Sequence, residues 1–327
     1  MSEGACEQPQ NPRVRVFYLS SGPIGGPILD ALRADARVDL VGVGSQPDRP
    51  VGRRQHLTPT AFAQYALARG CEVERVASVN TPEFLEHLRA LAVEVVLVVS
   101  FGQLLKKAIL ELPSCGCLNV HASLLPRYRG ACPISSAILN GDAVTGVSFM
   151  RMDAGLDTGP VYASWELPIL PEENAGDLEM RLGGLAASHV ADVVWGVARE
   201  GMAALAQPPA TSRNVHKISK NDGIVDWHAS AVRIANMVRA YQPWPRAFTY
   251  IPVHGKLRRL QITAATACPA VPDTTPGQIL PDQRDGLRVA TGDGVLLLRQ
   301  VIPEGGKGMD AVSFLRGNPV MPGCILE

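Results

Sequence analysis

Asn119 and His121 lie two positions apart in the run Cys117 to Pro133, C-L-N-V-H-A-S-L-L-P-R-Y-R-G-A-C-P, and their types and spacing suit chemistry. Successive side chains of a strand point to opposite faces, so Leu118 and Val120 share one face while Asn119 and His121 share the other, about 7 Å apart. A strand entering the core of an α/β domain is ordinarily apolar on both faces, which makes the amide and imidazole the anomaly. Ser, Pro and Gly follow, so the strand ends there. The polar pair then sits at its carboxyl end, where open α/β sheets hold their ligands. An amide donor never titrates, and an imidazole donates or carries a proton near neutral pH, so the two suit a developing oxyanion. Such chemistry needs a carboxylate to orient the imidazole and hold it charged. Asp157, in the turn M-D-A-G-L-D-T-G (152–159), is the first choice, and Asp153 in the same string is the rival. The plainer alternative is that Asn119 and His121 satisfy backbone groups in a core loop.

The surrounding pattern shows what positions these residues. Residues 14–20 read as an apolar strand running into S-S-G-P-I-G-G-P, with a helix over 24–32 and a second strand over 38–44. Gly22, Gly25 and Gly26 do not make G-x-G-x-x-G, so a dinucleotide site fails on spacing; the turn instead lets backbone approach another loop or a substrate. From Gln46 to Leu57, Q-P-D-R-P-V-G-R-R-Q-H-L, two prolines and a glycine argue against regular structure, and Arg49, Arg53 and Arg54 make it a basic loop. Thr58-Pro59 and Thr81-Pro82 each read as an N-cap and first-turn pair, opening helices to about residues 69 and 91. Residues 93–100 are nearly continuous apolar and β-branched, as in a central parallel strand. Residues 106–111 and 133–140 read as helices, 145–150 as a strand and 175–206 as largely helical. Alternation of this kind predicts a parallel-sheet α/β domain. The break A-Q-P-P-A-T-S (206–212) marks a linker. Beyond it, a helix over 230–241 precedes short β-runs at 246–252, 256–263, 287–291 and 295–301, spaced as in a small antiparallel barrel. Trp227 and Trp244 are expected in the barrel core or a domain-interface core, not as stacking platforms for bases.

Composition bounds the class. A length of 327 residues suits two domains with a sizeable core in each, and the charged and apolar fractions are ordinary for a globular chain. Net charge is zero, yet from Arg213 onward 14 Lys and Arg stand against 9 Asp and Glu. That modest basic excess is compatible with a nucleic-acid partner. Seven cysteines without C-x-x-C spacing fit a reduced, intracellular protein. Cys115, Cys117 and His121 lack a fourth ligand at zinc-like spacing, so no metal is expected. No apolar run approaches a membrane span, and the first dozen residues lack the regions of a signal peptide, which makes the cytoplasm the expected location.

The string N-V-H-A-S-L-L-P-R-Y-R-G-A-C-P-I, followed about 35 residues on by M-D-A-G-L-D-T-G, resembles the signature of the folate-dependent formyltransferases. The resemblance implies a catalytic trio of Asn119, His121 and Asp157. It also implies a 10-formyltetrahydrofolate pocket lined by Ser123, Leu124, Leu125, Pro126 and Asp153, with the backbone of Ser100, Phe101 and Gly102 holding the pterin. Q-P-D-R-P-x-G-R, K-I-S-K-N-D-G-I-V-D-W, Q-P-W-P-R-A-F and A-T-G-D-G-V-L-L-L resemble the methionyl-tRNA branch of that family, so the likeness spans about residues 13–325. What it implies is a Rossmann-like, mostly parallel catalytic domain over 13–206, a linker over 207–213 and an OB-like tRNA-binding barrel over 214–327. Arg49, Arg53 and Arg54 would grip the acceptor end of initiator methionyl-tRNA, and the enzyme is expected to be a metal-free monomer. The G-P-I-G-G turn departs from the G-T-P-like turn common in the group. Two alternatives stay open: a formyltransferase or formate-releasing hydrolase acting elsewhere, which would share the trio, and a non-catalytic tRNA-binding relative.

Overall fold

The computed structural model describes residues 13–52, 55–209, 215–253 and 255–326. The chain divides into two compact units, one from the described residues of 1–129, 146–167 and 179–213, the other from those of 130–145, 168–178 and 214–327.

In the first unit the elements run β1 (Val14–Ser20), α1 (Gly25–Ala34), β2 (Val38–Ser45), β3 (Arg49–Val51), β4 (His56–Thr58), α2 (Ala61–Leu67), β5 (Glu74–Arg75), α3 (Pro82–Ala90), β6 (Val95–Val99), α4 (Lys107–Leu110) and β7 (Cys117–His121). After α5 (Pro133–Leu139), which belongs to the second unit, come β8 (Val144–Arg151), β9 (Val161–Pro168), α6 (Ala175–Ala187) and α7 (Val190–Arg199). The sheet order is β5-β2-β1-β6-β7-β8-β9, parallel from β5 to β7, with β8 antiparallel to β7. Every residue of β6 is buried, as its run of Val and Leu requires of a strand covered on both faces. Phe17, Leu19, Leu88, Val96 and Phe101 meet in one core cluster. The fully buried Phe17 and Leu19 each contribute roughly 1.5–3 kcal/mol by leaving water.

The chain leaves β1 toward β2 and β5, then returns to the other side of β1 as β6. This reversal is a topological switch point, the place where open α/β sheets bind ligands. The loops at that point crowd together: a Cβ on Gly22 would lie 2.4 Å from Ser100 Oγ. The glycine turn therefore serves close approach, as its sequence suggests. Glu179 adds a carboxylate there, accepting from the Ile24 amide at 3.3 Å, and burial raises its pKa more than that bond lowers it.

Three local expectations need correction. The 46–57 segment is not wholly irregular: β3 and β4 form a two-stranded ribbon in which Pro50 opposes Leu57. A two-stranded ladder bonds only alternate residues, so a proline without N–H fits between the bonded pairs. Because Thr58 pairs with Arg49, the helix cap moves from Thr58 to Thr60, whose hydroxyl accepts from the Ala63 amide at 3.1 Å. Thr81 caps α3 as its sequence predicts, accepting from Phe84 N at 3.2 Å with Pro82 in the first turn. Finally, the helical stretch ends at Arg199; the chain then runs extended, and Leu205 exchanges two backbone bonds with Val161.

The second unit contains α8 (Ala231–Ala240), β10 (Ala247–Val253), β11 (Lys256–Cys268), β12 (Leu287–Ala290), β13 (Val295–Pro303), β14 (Met309–Asp310) and α9 (Ala311–Gly317). The five strands form a curled antiparallel sheet in the order β10-β11-β13-β12, with β14 on β13. Ile234 and Val238 of α8 pack into the same core as Leu260, Ile262, Leu296 and Leu298. Trp227 is in that core, its indole N–H donating to the buried Thr249 hydroxyl at 3.1 Å. Trp244 is not: flanked by Pro243 and Pro245 outside the ladder, it is 58% exposed.

Candidate active site

All five residues of β7 are buried, and Asn119 and His121 retain 9% and 6% exposure. The pairing explains their common face: Asn119 lies opposite Met150 and His121 opposite Ser148 on β8, while Asn119 is also registered with Val98 on β6. Two buried polar groups on a core strand are costly unless bonded. Both are bonded. His121 Nε2 lies 2.9 Å from the Tyr128 carbonyl, an oxygen that can only accept, so Nε2 carries a hydrogen. Nδ1 then faces Asp157, 3.7 Å from Oδ2, while the Asn119 amide donates toward Asp157 Oδ1 at 3.5 Å. One carboxylate thus spans both residues, an oxygen to each. Catalytic hydrogen bonds commonly tighten from such separations once substrate is bound.

Asp157 owes its reach to an unusual backbone. Its φ is +53°, in the left-handed region that non-glycine residues seldom enter and that Asp tolerates better than most. Asp153 shapes this turn, one carboxylate oxygen accepting from Gly155 N at 3.0 Å and Thr158 Oγ1 at 2.7 Å. At Gly159 a Cβ would fall 1.9 Å from the Arg151 carbonyl, so the turn closes only with glycine there. Of the two rival carboxylates, Asp157 is the one brought to the Asn–His pair, while Asp153 braces the loop that carries it.

The residues expected around a folate divide by what their side chains do. Ser123 is fully buried and its hydroxyl donates to Arg127 O at 2.6 Å, so it holds its own turn. Leu124, Leu125 and Pro126 are half-buried and follow it directly. Phe101 is 1% exposed and part of the core, which leaves backbone, flanked by Ser100 at φ +47° and Gly102 at φ +79°, as what that loop offers a ligand. Gln46 ties it to the basic segment: its amide donates to the Phe101 carbonyl and its oxygen accepts from Arg49. Gln46, Pro47, Arg49, Ala77, Gly102 and Gln103 line an open cavity of about 320 Å³, which none of the trio lines. Arg53 and Arg54 lie outside the described residues.

Two functional neighbours escape a reading of sequence. Ser148, on β8 opposite His121, donates to Ser123 O at 2.8 Å and accepts from Leu125 N at 3.0 Å, fixing the turn after β7. Its signal was available, since a Ser inside the apolar run V-S-F-M is the same kind of anomaly as Asn119. Gln207 gave none. It lies in proline-rich sequence that reads as linker, yet its amide bonds the Asp157 turn.

Burial pushes the Cys117 thiol up to about 12, and its sulfur donates to Ile109 O at 3.3 Å, so it is a neutral packing group and no nucleophile. Among the described residues, no three His, Cys, Asp or Glu side chains are grouped to hold a metal, and no helix is long and apolar enough to cross a membrane.

Residues 12–194 match the formyl transferase family, and 217–319 match the formyl transferase C-terminal domain. The chain is 39% identical to a methionyl-tRNA formyltransferase of Trichlorobacter lovleyi, over 95% of this chain and 96% of the relative. Another, from Xylella fastidiosa, is 42% identical over 92% of this chain and 97% of its own. Among solved structures, an N-formyltransferase from Helicobacter canadensis, in complex with folinic acid and dTDP-3-aminofucose, shares the fold. Its TM-score is 0.60 at 15% identity, with 87% of this chain and 99% of that one covered. HypX from Aquifex aeolicus, in complex with tetrahydrofolic acid, superposes with a TM-score of 0.58 at 15% identity over 93% of this chain and 47% of its own. With both sequence modules matched in order and relatives this similar along nearly the whole length, the chain belongs to the methionyl-tRNA formyltransferase family.

Proposed function

We propose that the protein transfers the formyl group of 10-formyltetrahydrofolate to the α-amine of methionine on initiator methionyl-tRNA, in the cytoplasm, at the start of translation. The observation that carries this reading is the single carboxylate of Asp157 set against both Asn119 and His121 at the end of a core strand. Family membership supplies the reaction class. The neutral amine attacks the formyl carbon and forms a tetrahedral oxyanion. An amide has two N–H groups, so Asn119 can offer one to that oxygen while the other faces Asp157. His121 Nε2 is engaged by Tyr128, which leaves Nδ1 as the nitrogen through which it acts on the site. Asp157 holds the imidazolium charge and passes the amine's proton, through water, toward the departing folate nitrogen. The carbon arrives already activated, so no covalent enzyme intermediate is needed. All three groups come from one chain, and a monomer suffices.

The test is single-turnover transfer of labelled formyl from 10-formyltetrahydrofolate, with methionyl initiator tRNA, methionyl elongator tRNA and free amino sugars offered in parallel. Rapid transfer to the initiator alone is the expected result. Formate release without a formylated acceptor would keep the trio and remove the tRNA assignment.

Exposed Arg49 and the adjoining Arg53 and Arg54 are assigned to the tRNA backbone. Their replacement by alanine is expected to lower tRNA affinity in a salt-dependent way, reducing the salt slope by up to about one for each phosphate no longer neutralised, with little effect on folate affinity. Binding titrations of both ligands at several salt concentrations check this; equal weakening for folate and tRNA would overturn it.

A further inference from the structure

Gln207 and Arg129 form a clamp on the turn that presents Asp157. Gln207 Nε2 donates to the carbonyls of Asp157 at 2.9 Å and Gly159 at 2.7 Å. On its other side, Gln207 Oε1 accepts from Arg129 Nε at 3.0 Å and Nη2 at 2.7 Å. These partners admit one amide orientation only, since carbonyls cannot donate and a guanidinium cannot accept. The segment is itself anchored, because Leu205 and Val161 exchange backbone bonds at 2.8 Å in each direction and Arg129 Nη2 donates to Pro208 O at 3.4 Å. Arg129 directly follows Tyr128, whose carbonyl orients His121. A closed circuit results: from His121 to the Tyr128 carbonyl, along one peptide to Arg129, across Gln207 to the Asp157 backbone, and from the Asp157 carboxylate back to His121.

Asp157 needs such support. It sits in left-handed backbone within an irregular turn, and Asp153 bonds only to Gly155 and Thr158 on either side of it. Strained conformations persist where their surroundings over-determine them. We propose that Gln207, held by Arg129, is a positioning residue for formyl transfer that fixes Asp157 against His121 without itself touching substrate. The proposal rests on the catalytic trio set out above.

Gln207→Leu keeps much of the volume and removes all four hydrogen bonds. Displacing a catalytic group by about 1 Å costs on the order of 100-fold, so the single-turnover rate should fall by about 10- to 100-fold. The dissociation constants for folate and tRNA should stay within about twofold of their original values, because the clamp itself touches neither ligand. In an Asp157→Asn background the same substitution should cost no more than about twofold, since a positioning residue is redundant once its client is gone. Should Gln207→Leu fold poorly, Arg129→Lys keeps the charge but not the forked pair of hydrogen bonds, and its rate is expected to fall about three- to tenfold with the same dependence on Asp157. Undiminished transfer by the Gln207 and Arg129 variants, or an equal loss with and without Asp157, would overturn the clamp. If Asp157→Asn alone transfers formyl at near the original rate, the trio itself has failed and the clamp with it, which that single variant separates from failure of the clamp only.

Discussion

His121→Ala and Asp157→Ala should each slow formyl transfer by about 100- to 10,000-fold, and the double variant should be little slower than the worse single one. The expectation follows from how the two side chains are held. Nε2 of His121 is committed to Tyr128 O, so whatever His121 does for the reaction passes through Nδ1, and Nδ1 faces the Asp157 carboxylate. Without Asp157, Nδ1 loses the carboxylate it faces, and the imidazole is oriented from its Nε2 side alone. Without His121, the carboxylate remains a negative charge near a developing oxyanion, which is worse than useless to the transition state. Neither member does its work alone, so the losses should not multiply. Single-turnover rates for the wild type, both singles and the double form the cycle that measures this. Fully multiplicative losses would show that the two act separately and would remove the linked role assigned here. Binding of a folate analogue should persist in all four proteins, distinguishing lost chemistry from lost folding.

The trio shows what a sequence can disclose about a site and what it cannot. The face shared by Asn119 and His121 is legible because strand periodicity is short and local, and their polarity stands out on an otherwise apolar strand. That Asp157 reaches them depends on a left-handed residue and a glycine-closed turn 38 positions from Asn119, and no local pattern encodes that distance. Gln207 lies further beyond reach of sequence: A-Q-P-P-A-T-S has the composition of a linker, and its bonding partners are 48 to 78 positions away. The fold divides in the same way. The buried strands β1, β6 and β7 follow directly from β-branched and apolar runs. Edge elements do not. The ribbon β3/β4 is hidden by Pro50, which a two-stranded ladder accommodates, and β9 by an alternation in which every side chain is only partly covered. Trp244 is misread for a related reason, since residue type favours burial while the prolines on both sides keep it out of the sheet.

Asn119→Ala should cost about 100- to 1,000-fold in single-turnover rate, the usual loss when one oxyanion donor is removed from a preorganised site. Asn119 is 9% exposed on a strand paired on both sides, so its amide is held before substrate arrives and need not reorganise during the reaction. Alanine alone does not separate a donor from a strut, because it also removes volume. Asn119→Asp does. The shape is nearly unchanged, yet a donor becomes an acceptor, and a second carboxylate is set where the amide lay 3.5 Å from Asp157 Oδ1. Two carboxylates at such a distance resist sharing full negative charge, and any charge retained opposes that of the oxyanion. If the amide serves the oxyanion, the Asp variant should be at least as slow as the Ala variant although it fills the space better. If the amide merely supports the strand, the order reverses, with Ala the slower of the two through a packing defect that a lowered melting temperature would reveal. Rates and melting temperatures of the two variants, measured side by side, therefore assign Asn119 to the chemistry or to the scaffold.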